Sequence, residues 1–419
     1  MNIPYENETM AAIANAQVEP PVAQRRLVAG RITVLLAIVL FSLALRAAVT
    51  SLTPLLSRVS GDMGFGSTIA GLFGMLPTAM FALAGFVGPA LGRKIGLERL
   101  ALCAAVATAA GLAGRSVVPS VAGLLGLMTV ALAGMGIGNI VIPPLIKRYF
   151  ADRVASMSAV YTACIQLGTI IPAALAVPIA DAQGWRVSLG VWALIPVAAL
   201  LPCIMITLRP HEAATADRRA GAPQAIGAVW RSPVAWGLTV MFSMTSLNTY
   251  ALLTWIPQVL TSAGGSEAFG GAMVAAFSIS GLVAAFVTPA LFARFANPFP
   301  VVIGCAVCYL IGFAGLLWLP LTATVVWVLI VGLGPSTFPG AITLINLRCR
   351  TGAGATALSG FVQGVGYLVA CAGPLVFGVL HQISGQWALS FGFLVVTVVA
   401  LIVGGYQACQ PRYLEDTTG

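Results

Sequence analysis

The sequence predicts an all-α membrane protein in which twelve transmembrane helices form two parallel six-helix repeats. Of its 419 residues, 59% are hydrophobic and only 8% are charged, and the mean hydropathy is +0.98. Soluble domains carry about 25% charged residues. A helix needs about 20 mostly apolar residues to cross a bilayer, and the chain contains twelve segments of this kind.

The predicted spans are 32–56, 67–91, 98–118, 121–146, 154–180, 186–208, 233–260, 269–293, 299–319, 322–346, 353–381 and 387–408. They divide the chain into a cytoplasmic N-terminal tail (1–31), an N-terminal six-helix bundle (32–208), a cytoplasmic linker (209–232), a C-terminal six-helix bundle (233–408) and a C-terminal tail (409–419). The tail before the first span contains no pattern of a cleavable signal peptide, so this span is expected to act as an uncleaved signal anchor.

The positions of the basic residues predict how the chain is oriented. The net charge is +9, but most of the 21 Lys and Arg residues fall in loops on one side of the predicted spans. The opposite loops contain only Arg58, Arg115 and Arg186. Cytoplasmic loops carry the excess of Lys and Arg, so we expect a multi-pass plasma-membrane protein with both termini in the cytoplasm. The expected partners are the lipid bilayer and a small molecule, not nucleic acid.

The two predicted bundles resemble each other in sequence. The segment 86–91, Phe-Val-Gly-Pro-Ala-Leu, recurs at 286–291 as Phe-Val-Thr-Pro-Ala-Leu. Likewise, Trp185 and Ser188 recur as Trp387 and Ser390, at a similar distance along the sequence. Both sets begin on the same side of the membrane, so the repeat is parallel, with its axis along the membrane normal.

Several motifs carry a resemblance to a known family. They are the segment Leu45–Leu56, Gly136-Ile137-Gly138-Asn139 followed by Pro143–Arg148, Gly184-Trp185-Arg186, Tyr250–Pro257, Ala357–Gln363 and Gly366-Tyr367-Leu368. With them the chain resembles the cyanate/2-nitroimidazole transporter family of the major facilitator superfamily. The chain differs from this family at position 47, where it has Ala and the family usually has Pro. The resemblance implies that spans 1, 4, 7 and 10 line a central cavity.

Arg46 lies deep in the first apolar span and has no Asp or Glu within ten residues on either side. A charge at bilayer depth is costly and normally faces a bundle interior or a wet cavity. The guanidinium group presents a fixed fork of donors that fits a planar carboxylate, nitrate or nitro group. Arg46 therefore predicts a binding site for an anionic or strongly polar guest, although an arginine can also cap backbone carbonyls of a broken helix.

Other polar residues at predicted midplane depth complete the candidate site. The predicted substrate-binding residues are Arg46, Asn139, Tyr161, Gln166, Asn248, Tyr250, Gln363 and Tyr367. The asparagines can alternatively bond between helices, and the tyrosines can serve only as packing groups. Trp255 lies near a span end and is expected in the interfacial aromatic belt.

These features predict a secondary transporter that works by alternating access around Arg46. All twelve Asp and Glu residues lie in loops, in tails or at span ends, so no intramembrane proton relay is expected. We expect a uniporter, an exchanger or a symporter whose proton travels on the substrate, and a monomer without cofactor or metal. A drug-type efflux pump for aromatic compounds is the alternative function. An intramembrane enzyme or a transporter-like sensor is a distant one, because no catalytic cluster or signalling tail is present.

Overall fold

The fold is described by a computed structural model that covers residues 22–150, 152–208, 229–350 and 352–416. Within these ranges the chain forms helices and no strand. The long helices are α1 (Arg31–Met63), α2 (Ser67–Ile95), α3 (Leu97–Gly114), α4 (Val121–Tyr149), α5 (Val154–Gln183), α6 (Trp185–Thr207), α7 (Pro233–Ser262), α8 (Glu267–Arg294), α9 (Phe299–Trp318), α10 (Thr324–Leu347), α11 (Ala357–Ser384) and α12 (Trp387–Cys409). Helical structure also precedes α1 and α11, beginning at Val22 and Gly352.

Each predicted span coincides with one of these helices, so the predicted fold class is confirmed. Among the described residues, eleven helices are long and apolar enough to cross a membrane. The remaining one, α7, has 30 residues and contains eight Ser and Thr residues. Seven of these hydroxyls donate to carbonyls three or four residues earlier, which satisfies them within the helix. The first span ends at Met63, later than predicted.

The helices run alternately between two ends of the bundle. We call the end at which α1 begins and α12 finishes the terminal end, and the opposite one the far end. Charged pairs mark both: Arg31 meets Asp152 at the terminal end, and Arg186 meets Asp62 at the far end. The predicted bundle limits stay predictions, since residues 1–21, 209–228 and 417–419 lie outside the described ranges.

Corresponding side chains of the repeat make corresponding contacts. The indole Nε1 of Trp185 donates to Asp62 Oδ2 at 3.2 Å, which ties the start of α6 to the far end of α1. In the second repeat, Trp387 Nε1 donates to Ser262 Oγ at 2.8 Å, and this ties α12 to the far end of α7. The repeat found in the sequence is therefore also a repeat of tertiary contacts.

Helix α1 is interrupted at Arg46. Residues 45 and 46 form a turn, and Arg46 has φ −122° and ψ −10° at the start of the next helical segment. On either side, Ser42 and Ser51 donate to the carbonyls of Ile38 and Ala47, a type of bond that bends helices. A Cβ at Gly168 would lie only 2.0 Å from Leu43 O, so α5 can approach the interruption only because this residue is glycine.

Arg115, at the end of α3, braces the same region of α1. Its side chain is 0% exposed. Nη1 donates to Ala48 O at 2.8 Å, and Nη2 donates to Ser51 Oγ at 2.8 Å and to Leu189 O at 3.0 Å. Capping of a broken helix, considered above for Arg46, is thus performed by Arg115, which leaves Arg46 free for another role.

The two sets of six helices meet along two seams. α5 packs against α8, and α2 packs against α11. The backbones of α2 and α11 come close towards the far end of the bundle, where a Cβ at Gly71 would lie 3.0 Å from Pro374 O. Both seams border the space into which the interruption of α1 places Arg46.

Replacing Arg115 by Met should destabilise the protein by about 2–4 kcal/mol, because carbonyls around the α1 interruption lose buried donors. Thermal unfolding of the purified protein measures this as a lowered Tm. The control is Arg186→Met, which removes an exposed far-end ion pair worth at most about 1 kcal/mol. Equal Tm values for both variants would show that Arg115 does not brace α1.

Candidate substrate site

The site is centred on the guanidinium group of Arg46, which projects between the two sets of helices. The side chain is half-buried. Its Cζ lies 5.3 Å from the ring centroid of Tyr250 on α7 and 5.9 Å from that of Phe81 on α2. Both distances fall within the range of cation–π attraction. The buried Nε atom has no hydrogen-bond partner.

No carboxylate among the described residues pairs with Arg46. The seven described carboxylates all lie at the two ends of the bundle, and each contacts another arginine: Asp62 with Arg186, Glu98 with Arg148, Asp152 with Arg31, Asp181 and Glu267 with Arg58, and Glu415 and Asp416 with Arg350. The positive charge at the centre is therefore balanced within the described chain only by aromatic faces and dipoles.

Three tyrosines lie in the neighbourhood of the guanidinium group. The phenol groups of Tyr161, Tyr250 and Tyr367 all lie close enough to interact electrostatically with Arg46. The Tyr161 hydroxyl donates to Asn139 Oδ1 at 3.0 Å, which links α5 to α4. With Asn139, these residues form a cluster of polar groups contributed by α1, α4, α5, α7 and α11.

Aromatic side chains continue from Arg46 along the interface between the helix sets. Phe81 packs edge-on against Tyr250 and Tyr367, with centroid distances of 6.3 and 5.7 Å. Tyr367 also packs against Phe242 at 5.0 Å, and Phe242 against Phe338 at 5.0 Å. We refer to these five residues as the aromatic lining.

The other three predicted site residues make hydrogen bonds to other parts of the bundle. Gln363 is one turn from Tyr367 on α11 and donates to Ser359 Oγ at 2.7 Å. Gln166 donates to Ser278 O at 3.0 Å and so bridges α5 and α8. Asn248 is 0% exposed and donates to Thr397 Oγ1 of α12 at 2.9 Å. The structure therefore brings Arg46, Asn139, Tyr161, Tyr250 and Tyr367 together, and it does not bring Asn248 to them.

Sequence reasoning missed Phe81 and misplaced Trp255. Nothing in the apolar α2 sequence distinguishes Phe81 from its neighbours, since its position depends on how α2 packs. The prediction that Trp255 lies in an interfacial belt is wrong. The side chain is 1% exposed, and its Nε1 donates to Pro374 O at 2.9 Å, because α7 is enclosed by α11 and α12.

The far side of the site is closed. Between Arg46 and the far end, Leu52, Phe73 and Thr254 are all buried. Beyond them, Arg58 bridges the two sets: Nη2 lies 2.7 Å from Asp181 on α5, and Nε lies 2.5 Å from Glu267 on α8.

Residues on the other side of the site are more exposed. Asn139, Tyr161, Gln363 and Tyr367 are each partly exposed. The terminal side of the site is therefore less enclosed than the far side.

The fold and the site define a multi-pass helical membrane protein of the solute-carrier type, with a cation that has no carboxylate partner among the described residues at its centre. The chain belongs to the Major Facilitator Superfamily, whose family model matches residues 34–374. Members of this family are transporters, so the chain is not an enzyme.

Three relatives cover nearly the whole chain. It is 30% identical to the uncharacterized transporter YycB of Bacillus subtilis over 90% of this chain and 93% of the relative. It is 29% identical to the 2-nitroimidazole transporter of Escherichia coli, over 92% of this chain and 97% of the relative. The cyanate transport protein CynX of Escherichia coli is also 29% identical, over 88% and 95%. The predicted resemblance to this family is confirmed.

Solved transporter structures share the fold. The nucleoside transporter NupG aligns with a TM-score of 0.71 at 13% identity, covering 88% of this chain and 99% of that one. A bacterial homologue of the human lysosomal transporter Spinster aligns with a TM-score of 0.70 at 15% identity, covering 93% and 98%. These similarities confirm the architecture.

The Glu267→Gln variant should loosen the far-end closure, because it removes the charge that joins Arg58 to the other set of helices. Hydrogen–deuterium exchange at the far ends of α1 and α8 should become faster. The matched control is Asp181→Asn, which removes the other Arg58 partner, on α5 of the same set. Unchanged exchange in Glu267→Gln would show that this ion pair does not hold the far end closed.

Proposed function

We propose that this protein transports a small anionic or strongly polar solute by alternating access, and that Arg46 binds the solute. The observation that carries the proposal is a guanidinium group at the centre of the bundle without a carboxylate partner among the described residues. A buried charge is stable only when it is paired or solvated. A substrate anion supplies the pairing that the described chain lacks.

The chemistry of the site favours a guest that accepts hydrogen bonds. Arg46 offers the rigid donor fork of a guanidinium, which matches two oxygens of a carboxylate, nitrate or nitro group. Tyr250 adds a buried hydroxyl that lies within reach of the guanidinium group. The similarity to transporters of 2-nitroimidazole and cyanate supports this solute class, because both compounds are small and carry acceptor atoms.

The site is shared between the moving parts of the proposed transport cycle. Arg46, Asn139 and Tyr161 belong to α1–α6, whereas Tyr250 and Tyr367 belong to α7–α12. Rocking of one set against the other would separate these groups on one side of the membrane and reunite them on the other. We place the protein in the plasma membrane as a monomer, with the terminal end in the cytoplasm, because the basic loops lie at that end.

Replacing Arg46 by Gln should weaken binding of nitrate, cyanate and benzoate by about 30- to 1,000-fold, because the ligand then loses a charged partner worth about 2–4 kcal/mol. Arg46→Lys should restore only part of this affinity, because an ammonium group lacks the fork. Ligand-induced thermal stabilisation of purified protein reports the affinities.

Arg186→Gln serves as the control for this measurement, because Arg186 lies at the far end. Anion binding that survives in Arg46→Gln at wild-type strength would refute the proposed site. Stabilisation by neutral aromatic compounds but by no anion would instead support the drug-efflux alternative.

Transport of a strong-acid anion, such as nitrate or benzenesulfonate, should depend on membrane potential and not on a pH gradient. The reason is that the described carboxylates lie at the bundle ends, away from Arg46. In proteoliposomes an inside-positive potential of about 100 mV should drive roughly 50-fold accumulation at equilibrium. With the potential clamped at zero, a proton gradient that still drives accumulation would contradict this mechanism.

A further inference from the structure

One hydroxyl of α7 behaves differently from the others on this helix. Seven of its eight Ser and Thr side chains donate to a carbonyl of their own helix. Ser246 is 1% exposed, and its Oγ makes no hydrogen bond. An unpaired buried hydroxyl costs about 1–3 kcal/mol, so Ser246 is held ready for a partner that is not part of the helix.

The position of Ser246 on α7 points to the nature of that partner. It lies four residues after Phe242 and four residues before Tyr250. Because four residues turn an α-helix by about 40° beyond a full turn, the three side chains lie on one face of α7. Phe242 contacts Phe338 and Tyr367. Tyr250 contacts Phe81 and Arg46. Ser246 therefore lies on the same face of α7 as two members of the aromatic lining.

Asn248, two residues further along α7, provides a contrast. It lies about 200° from Ser246 around the helix and donates to Thr397 on α12. Its hydrogen bonding is directed into the helix packing on the other side of α7. On the central face, the two hydroxyl-bearing residues Ser246 and Tyr250 are four residues apart, or about 6 Å along the axis.

We infer that Ser246 binds a second polar group of the substrate, and that the substrate is a planar aromatic anion with such a group on its ring. This inference rests on the proposed function, in which Arg46 binds the anionic group. The faces of the aromatic lining pack the ring, since offset or edge-on aromatic contacts are favourable. The Ser246 hydroxyl then donates to a hydroxyl or nitro oxygen on the ring, and Tyr250 lies beside it.

Benzoates that differ only at the ring position opposite the carboxylate test this inference. 4-Hydroxybenzoate and 4-nitrobenzoate offer an oxygen to Ser246, whereas 4-methylbenzoate is of similar size and offers none. The wild-type protein should prefer the first two by about tenfold, the value of one neutral hydrogen bond at a buried site. In Ser246→Ala this preference should disappear, while the affinity for 4-methylbenzoate stays within about twofold of wild type.

Ser243→Ala is the matched control. Ser243 is on the same helix and 1% exposed, but its hydroxyl already donates to Thr239 O at 2.6 Å. This variant should keep the full preference. A preference that survives in Ser246→Ala, or an equal loss of all three ligands, would overturn the inference.

The outcomes separate this inference from the proposed function. Arg46-dependent binding of nitrate or cyanate without binding of any benzoate would leave the proposed function standing and overturn the aromatic class. Binding of benzoates that does not depend on Arg46 would refute the proposed function itself. Unfolding temperatures of Ser246→Ala and Ser243→Ala, compared with wild type, confirm that both variants are folded.

Discussion

A guanidinium group enclosed by apolar helices must find a partner, and this requirement organises the centre of the molecule. The chain contains two such groups near the interruption of α1. Arg115 is satisfied by the carbonyls of Ala48 and Leu189 and by Ser51, so its charge is spread over backbone dipoles. Arg46 instead has aromatic faces beside it, and no carboxylate among the described residues pairs with it. The first arginine stabilises the bent helix, and the bend positions the second.

The surroundings of Arg46 combine polar and apolar recognition. The donors come from Arg46 and the tyrosines, whereas the walls are aromatic rings. Aromatic walls lower the local dielectric constant, and this strengthens each hydrogen bond in the site. A low dielectric constant also makes an unpaired donor costly. Selectivity in the proposed cycle therefore comes as much from donors that a wrong solute leaves unpaired as from contacts that a correct solute makes.

The sequence was sufficient to predict the helices, the parallel repeat and Arg46, because each depends on local composition or spacing. It was not sufficient for contacts that depend on the direction of a side chain around a buried helix. Asn248 and Tyr250 lie two residues apart, so they face opposite sides of α7, and only Tyr250 reaches Arg46. Trp255 was misread for the same reason: proximity to a helix end did not imply exposure, because neighbouring helices cover this side chain.

The unpaired charge also bears on the order of events in the proposed cycle. An occluded intermediate closes both ends of the bundle around Arg46 and removes its remaining contact with water. For the empty site, this step carries the full desolvation cost of a lone cation. A bound anion neutralises the guanidinium group and provides directed hydrogen bonds, so the loaded site is enclosed at lower cost. The loaded protein should therefore change conformation faster than the empty one. Exchange of one anion for another should then be faster than net movement, and return of the empty protein sets the rate at which potential-driven accumulation reaches equilibrium.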